Sequence, residues 1–168
     1  MTIALGVLGP QAMILAADSQ EGTGYAGDLK LQSSKIALEG RFYPDATGNE
    51  DRVFAITGAG NSDYLWALKR QLLDAFDACA DVESCGLAME RTVFSFYERH
   101  VIPFNPQQWG DLRVELIAAV KINGECGMWR NELNAVTKCD SLAVVGKRLS
   151  WLCFRGRKPC STLRAEQR

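Results

Sequence analysis

The chain has no apolar run approaching the roughly 18–20 residues that a membrane-spanning helix needs, so no such helix is expected within it. No basic segment precedes the first apolar residues, and Asp18 follows soon after them, so this end is not expected to be a secretory signal. None of the six cysteines, Cys79, Cys85, Cys126, Cys139, Cys153 and Cys160, forms a C-x-x-C pair, which leaves metal binding without support. No surplus of either charge is present: 19 Lys/Arg stand against 20 Asp/Glu, so bulk electrostatics point neither to nucleic acid nor to an anionic membrane. Internal repeats and low-complexity segments are missing as well.

What remains is an ordinary globular composition over 168 residues, enough for one compact domain with a core. With no secretory signal expected, the cysteines read as buried, reduced thiols of a cytoplasmic protein rather than as disulfides. The charge is uneven along the chain. Residues 1–146 carry a net −7, and residues 147–168, "KRLSWLCFRGRKPCSTLRAEQR", carry +6. We therefore expect a domain over 1–146 and a divergent basic tail over 147–168. Three readings of that tail stay open: an exposed extension, a lost reading frame or truncation, and a basic partner-binding segment.

Two short apolar runs, "TIALGVL" and "AMILAAD", flank the turn residues Gly9 and Pro10, predicting a β-hairpin over Thr2–Ala17. Their nearly continuous apolar character predicts strands covered on both faces. "DSQEGTGYAGDLKLQSS" is a polar, glycine-rich loop, with a short strand suggested around "YAG". "KIALEG" and "RVFAITGAG" are further strands, the second ending in a glycine-rich turn.

Helical spacing of Leu65, Leu68, Leu72, Leu73 and Phe76 predicts a first helix, with Asn61, Ser62 and Asp63 as cap candidates. A second helix is predicted from about Glu83 to Val101, its apolar face marked by Leu87, Met89, Val93, Phe94 and Tyr97. Strands "LRVELIAAVKI" and "CGMWRNE" flank Asn123-Gly124, a strong hairpin signal, and "SLAVVG" is a last buried strand. Four strands, two helices and three strands make a layered α+β pattern, with the helix pair on a sheet face.

The chemistry gathers at the strand ends. In a hairpin, the start of the first strand lies beside the end of the second, so Thr2 and Asp18 are expected to be neighbours. Lys35, opening the next strand, joins them. If Met1 is removed, Thr2 carries a hydroxyl and a free α-amine on one residue, so nucleophile and base come together. An α-amine with a reference pKa of roughly 7.7–8.0 is partly neutral near pH 7. A nearby ammonium favours that neutral form, and an aspartate orients and balances the ammonium. "ITGAGNSD" adds a turn whose backbone N–H groups, on Gly58, Ala59 and Gly60, suit an oxyanion. The bland alternatives are a strand threonine, a structural Asp–Lys pair and a plain turn. A phosphate-binding turn is a further alternative, although no Gly-Lys-Ser/Thr follows.

Together, "TIALGVLGPQAMILAADSQEGTGYAGDLKLQSSKIALEG" and "VFAITGAGNSDYL" resemble the start of a proteasome β-type subunit. They are also similar to the peptidase subunit of the bacterial two-component ATP-dependent protease. Both are N-terminal nucleophile hydrolases. The resemblance is specific over the first 65 residues and architectural to about residue 146. It implies a four-layer αββα sandwich, Thr2 as nucleophile, Asp18 and Lys35 as its charged support, and an oxyanion donor at Gly58, Ala59 or Gly60. It also implies a ring-type homo-oligomer, an ATPase unfoldase partner, and peptides or unfolded proteins as substrate, with no metal or cofactor.

Two departures accompany the resemblance. The family pattern places a glycine-serine turn after the strand matched by "SLAVVG", and here "GKRLSW" stands, with Lys147 nearest the supporting serine. The pattern then continues into further helices, strands and an Asp/Ser pair beyond this chain. The sandwich is therefore expected to be incomplete at its C-terminal side, with exposed apolar surface on its second sheet.

A threonine-type peptidase subunit is the leading reading. A non-catalytic subunit or remnant, a small-amide amidohydrolase of the same class and a phosphate-binding domain are the alternatives. Intact-mass analysis is expected to show a protein beginning at Thr2. A retained Met1 blocks the amine and removes both hydrolase readings.

Overall fold

The computed structural model describes residues 3–9, 12–18, 20–22, 30–32, 35–41, 52–104 and 112–146. Strands β1 (Ala4–Leu8) and β2 (Met13–Ala17) form the expected antiparallel hairpin, with Ala4 opposite Ala17 and Leu8 opposite Met13. Two three-residue strands follow, β3 (Gln20–Gly22) and β4 (Lys30–Gln32), paired with each other. Next come β5 (Ala37–Arg41) and β6 (Arg52–Gly60), then helices α1 (Ser62–Asp77) and α2 (Val82–His100). The chain continues through β7 (Val114–Ile122), β8 (Glu125–Glu132), β9 (Ala135–Lys138) and β10 (Leu142–Val145).

Among the described residues, six strands thus precede the helices and four follow, against the four and three predicted. The extra strands carry no apolar alternation, which is why the pattern passes over them. β3 and β4 sit in the polar loop, and β9 is an edge strand whose residues stay largely exposed. The suggested "YAG" strand lies outside the described residues.

The fold is α+β with two main antiparallel sheets. A five-stranded sheet runs β5-β6-β7-β8-β9, and a three-stranded sheet runs β10-β1-β2. Strand alternation assigns the two faces of the larger sheet. Phe54, Ile56, Leu116, Val120 and Trp129 pack with Leu68, Leu72, Phe76, Met89, Val93 and Phe96 of the helices. Ile117, Met128 and Ala59 point the other way, onto Ala4, Ala143 and Val145 of the smaller sheet. Gly6 makes this second contact possible, since a Cβ there would run into the Met128 sulfur and Ile117. Among the described residues this gives three layers: helix pair, larger sheet, smaller sheet.

Among the described residues, nothing covers the outer face of the smaller sheet, which the sequence suggested would be covered on both faces. Its outer face shows a cross-strand row, Leu142 and Ile14 each opposite Val7. Ile14 is 61% exposed and Leu142 47%. Unalternating apolar composition does not distinguish a covered strand from an open one. This is the exposed apolar surface expected on the second sheet.

Local chemistry sets the helix boundaries. Asn61 caps α1, its side-chain oxygen accepting from the Tyr64 N–H at 3.1 Å. At the other end, Arg52 of β6 donates to the Cys79 carbonyl at 2.8 Å, satisfying an acceptor just beyond the last turn. Asp81 and Ser84 form a reciprocal capping box on α2. Leu65, Leu68, Leu72 and Phe76 are buried as predicted. On α2 the predicted face needs correction: Val82, Cys85, Met89, Val93, Phe96 and Tyr97 are buried, whereas Leu87 and Phe94 are exposed. Leu87 and Phe94 are seven residues apart, so they share a helix face, but it is turned away from the 82-85-89-93-96 stripe.

Asn123 and Gly124 both take positive φ, as the tight β7–β8 hairpin requires. The β7–β8 ladder begins at Ile117 opposite Arg130, and side chains hold β7 before that point. Asn131 accepts from the Leu116 N–H at 2.7 Å and donates to the Val114 carbonyl at 3.0 Å and the Leu133 carbonyl at 2.7 Å. The Tyr97 hydroxyl donates to the same Val114 carbonyl at 2.7 Å, and burial raises its pKa. Asn131→Leu therefore removes partners from buried backbone groups. It is expected to cost about 2–4 kcal/mol in urea unfolding. A loss below about 1 kcal/mol would contradict the role assigned to this network.

Candidate active site

The site forms where the two sheets meet at the end of the β1–β2 hairpin away from its turn. Thr2 lies outside the described residues. Its neighbour Ile3 does not: the Ile3 carbonyl accepts from the Asp18 N–H at 3.1 Å. The hairpin register thus brings the start of β1 and the residue after β2 together, as the sequence predicts.

Asp18 is reached by Lys35, whose Nζ donates to Oδ1 at 2.8 Å. The Lys35 side chain is 8% exposed and that of Asp18 33%. This is an ion pair with one end inside and the other in contact with solvent. Lys35 stands just before β5, whose ladder with β6 begins at Ala37 opposite Ile56. Its carbonyl is held by two side chains instead: the Thr57 hydroxyl donates at 3.2 Å and the Lys69 ammonium at 2.5 Å. Thr57 is fully buried and Lys69 is 1% exposed.

Gly58, Ala59 and Gly60 sit differently from the expected turn. They are the last residues of β6 and pair with Leu116, Glu115 and Val114 of β7. The ladder runs to the edge of the helix, and Asn61 follows directly as the α1 cap. Small residues are required here by close approach. A Cβ on Gly58 would collide with the Glu115 carbonyl and the Leu65 side chain, and Gly60 has φ +124. The described β5–β6 pairing stops at Ile56, so the GAG stretch has one described strand neighbour, and Thr57, just before it, meets the Lys35 carbonyl.

The end of β10 closes the same corner. Ala4 pairs with Val145, and the Gly146 N–H donates to Glu115 Oε2 at 3.0 Å. Glu115 also contacts Arg113. Lys147 and the rest of the expected basic tail lie outside the described residues. A cavity of about 600 Å³ lined by Leu8, Gly9, Val82 and Glu83 lies at the hairpin's turn end. That is one strand length from Asp18, so its volume has no bearing on this corner.

Sequence reasoning missed Thr57 and Lys69. A signal for Lys69 existed: it falls within the stripe Leu65, Leu68, Leu72, Phe76, where a lysine is out of place. Thr57 carried none, since a threonine is ordinary on a strand.

No family model matches the chain, and no curated protein matches it. Solved structures do. The Gly-1 mutant of Anbu from Hyphomicrobium sp. strain MC1 matches 88% of the chain with a TM-score of 0.65 at 15% identity. Anbu, the ancestral beta-subunit, from Yersinia bercovieri matches with a TM-score of 0.60 at 14% identity, also over 88% of the chain. A helical assembly of the Anbu complex from Pseudomonas aeruginosa matches 86% of the chain, with a TM-score of 0.63 at 13% identity. Over that stretch the chain shares its fold with the Anbu structures.

This corrects the family expected from the sequence. The matched structures are of Anbu, described for Yersinia bercovieri as the ancestral beta-subunit, and not of a proteasome β-type subunit. A threonine, an aspartate, a lysine and a small-residue strand end are few and common residue types, so this motif alone does not single out one family. The chain spans 61% of the length of each of these three Anbu chains. Among the described residues, no helix is long and apolar enough to cross a membrane.

The unequal burial of the ion pair makes its two halves distinguishable. Asp18→Ala removes the carboxylate from an almost buried ammonium and is expected to cost about 2 kcal/mol, below the roughly 3–5 of a fully buried pair. Lys35→Met leaves a carboxylate that water still reaches, so it is expected to cost less. Urea unfolding of both variants checks the order, and a costlier Lys35→Met would contradict it.

Proposed function

We propose that this chain is a threonine-type peptidase subunit of an Anbu-like assembly, acting through Thr2 after removal of Met1. The observation that carries this reading is the hydrogen bond from Asp18 to Ile3, combined with the 2.8 Å Lys35–Asp18 pair. Together they support a charged pair beside the residue that follows Thr2.

In this mechanism the Thr2 α-amine accepts the hydroxyl proton as Oγ1 attacks a peptide carbonyl. The C–O bond forms and the carbonyl π electrons move to oxygen. The oxyanion is met by backbone N–H groups of the Gly58–Gly60 stretch. Collapse of the tetrahedral intermediate breaks the C–N bond, and the amine takes back the proton that the α-amine held. Water then hydrolyses the threonine ester, with the α-amine as base. Lys35 keeps the α-amine in its neutral form, and Asp18 holds the lysine in place.

The assembly is a homo-oligomer in the cytoplasm, taking peptides or unfolded proteins delivered by an ATPase unfoldase. A second helix layer over the row Leu142, Val7 and Ile14 completes a four-layer αββα sandwich and removes an exposed apolar face.

A peptide epoxyketone tests the reading, because stable capture needs a hydroxyl and a free amine on one residue. The wild type is expected to be labelled at Thr2, and Thr2→Ala to lose the label entirely. Labelling that survives Thr2→Ala, or no labelling of the wild type, overturns it.

A further inference from the structure

We propose that Lys69 is a positioning residue for Lys35, holding the Lys35 main chain from helix α1 so that its ammonium is aimed at Asp18 and the nucleophile. This rests on the reading of Thr2 and Lys35 given above.

Burial makes Lys69 a costly residue for its place. It occupies the apolar stripe of α1 and is 1% exposed. Taking an ammonium out of water costs several kcal/mol, and an apolar side chain of similar volume commonly packs as well or better. Packing therefore gives no reason for a lysine here. Its contacts do. Nζ donates to the Lys35 carbonyl at 2.5 Å and lies 5.1 Å from the centre of the Trp66 ring, a cation–π distance.

The Lys35 peptide is where such a grip is needed. Lys35 lies two residues before the first described pair of β5, Ala37 opposite Ile56. Its carbonyl accepts from two side-chain donors, the neutral Thr57 hydroxyl and the charged Lys69 ammonium. A charge-assisted hydrogen bond is roughly twice as strong as a neutral one, so Lys69 is the main anchor. Rotation of this peptide would swing the Cα–Cβ bond of Lys35, and Nζ would move with it. A misplacement of about 1 Å in a catalytic array can cost on the order of 100-fold in rate. Helix α1 thus reaches past the sheet edge to fix a group acting on the far side.

The test separates binding from chemistry. Epoxyketone inactivation is measured over inhibitor concentration for the wild type, Lys69→Met and Thr57→Val. For Lys69→Met, kinact is expected to fall at least tenfold at unchanged KI. For Thr57→Val, which removes the weaker donor, a two- to threefold fall is expected. Wild-type kinact in Lys69→Met, or an effect confined to KI, overturns the inference.

A wild type that is not labelled at all refutes the Thr2 reading instead. The inference is then decided by a double-mutant cycle in urea unfolding between Lys69→Met and Asp18→Asn. Coupling of at least fivefold in the unfolding constant upholds it, and additive effects overturn it. If Lys69→Met does not fold, the same cycle between Thr57→Val and Asp18→Asn decides, with at least twofold coupling expected and additivity overturning it.

Discussion

The nine-residue pairing of β6 with β7 is the constraint on which the rest depends. β7 is buried on both faces, by the helices on one side and the smaller sheet on the other. At roughly 1.5–3 kcal/mol for each fully buried large apolar side chain, a register slip would expose more than the fold can bear. The ladder therefore runs unbroken from Arg52 to Gly60. Its first residue caps the end of α1, and its last leads straight into the α1 cap. One strand thus fixes both ends of a helix and carries Thr57 to the corner where Lys35 sits.

At that corner the backbone leaves regular pairing, and polar side chains take over. The Lys35 carbonyl, the start of β7 and the end of β10 are each held by a side chain: Lys69, Asn131 and Glu115. Each sits where a ladder begins or ends and a buried backbone group would otherwise lose its partner. Of these, the Lys69 contact adjoins the Asp18–Lys35 pair directly, through the Lys35 carbonyl.

Much of this was legible in the sequence. The hairpin, the caps at Asn61 and the Asn123-Gly124 turn rest on local chemistry, and they stand where they were predicted. The nearness of Asp18 to the start of β1 followed from hairpin geometry alone. The α2 face was misread because Leu87 and Phe94 count as apolar wherever they point. The GAG stretch was misread as a turn because glycines at Gly58 and Gly60 signal either a turn or a close approach. Deciding between the two needed the Glu115 carbonyl of β7 and the Arg113 carbonyl just before it, more than 50 residues away.

By itself the sequence determined that the aspartate closing β2 lies beside the start of β1 and that a lysine before β5 joins it. These follow from strand periodicity and turn chemistry, which act over a few residues. Only the tertiary structure decided how the lysine is held and what lies open. Lys69 reaches the Lys35 carbonyl across 34 positions of sequence because α1 packs at the sheet edge. Val7 and Ile14 remain exposed because, among the described residues, no layer covers them. Both facts depend on how layers stack, and packing between distant segments leaves no periodic trace along a single chain.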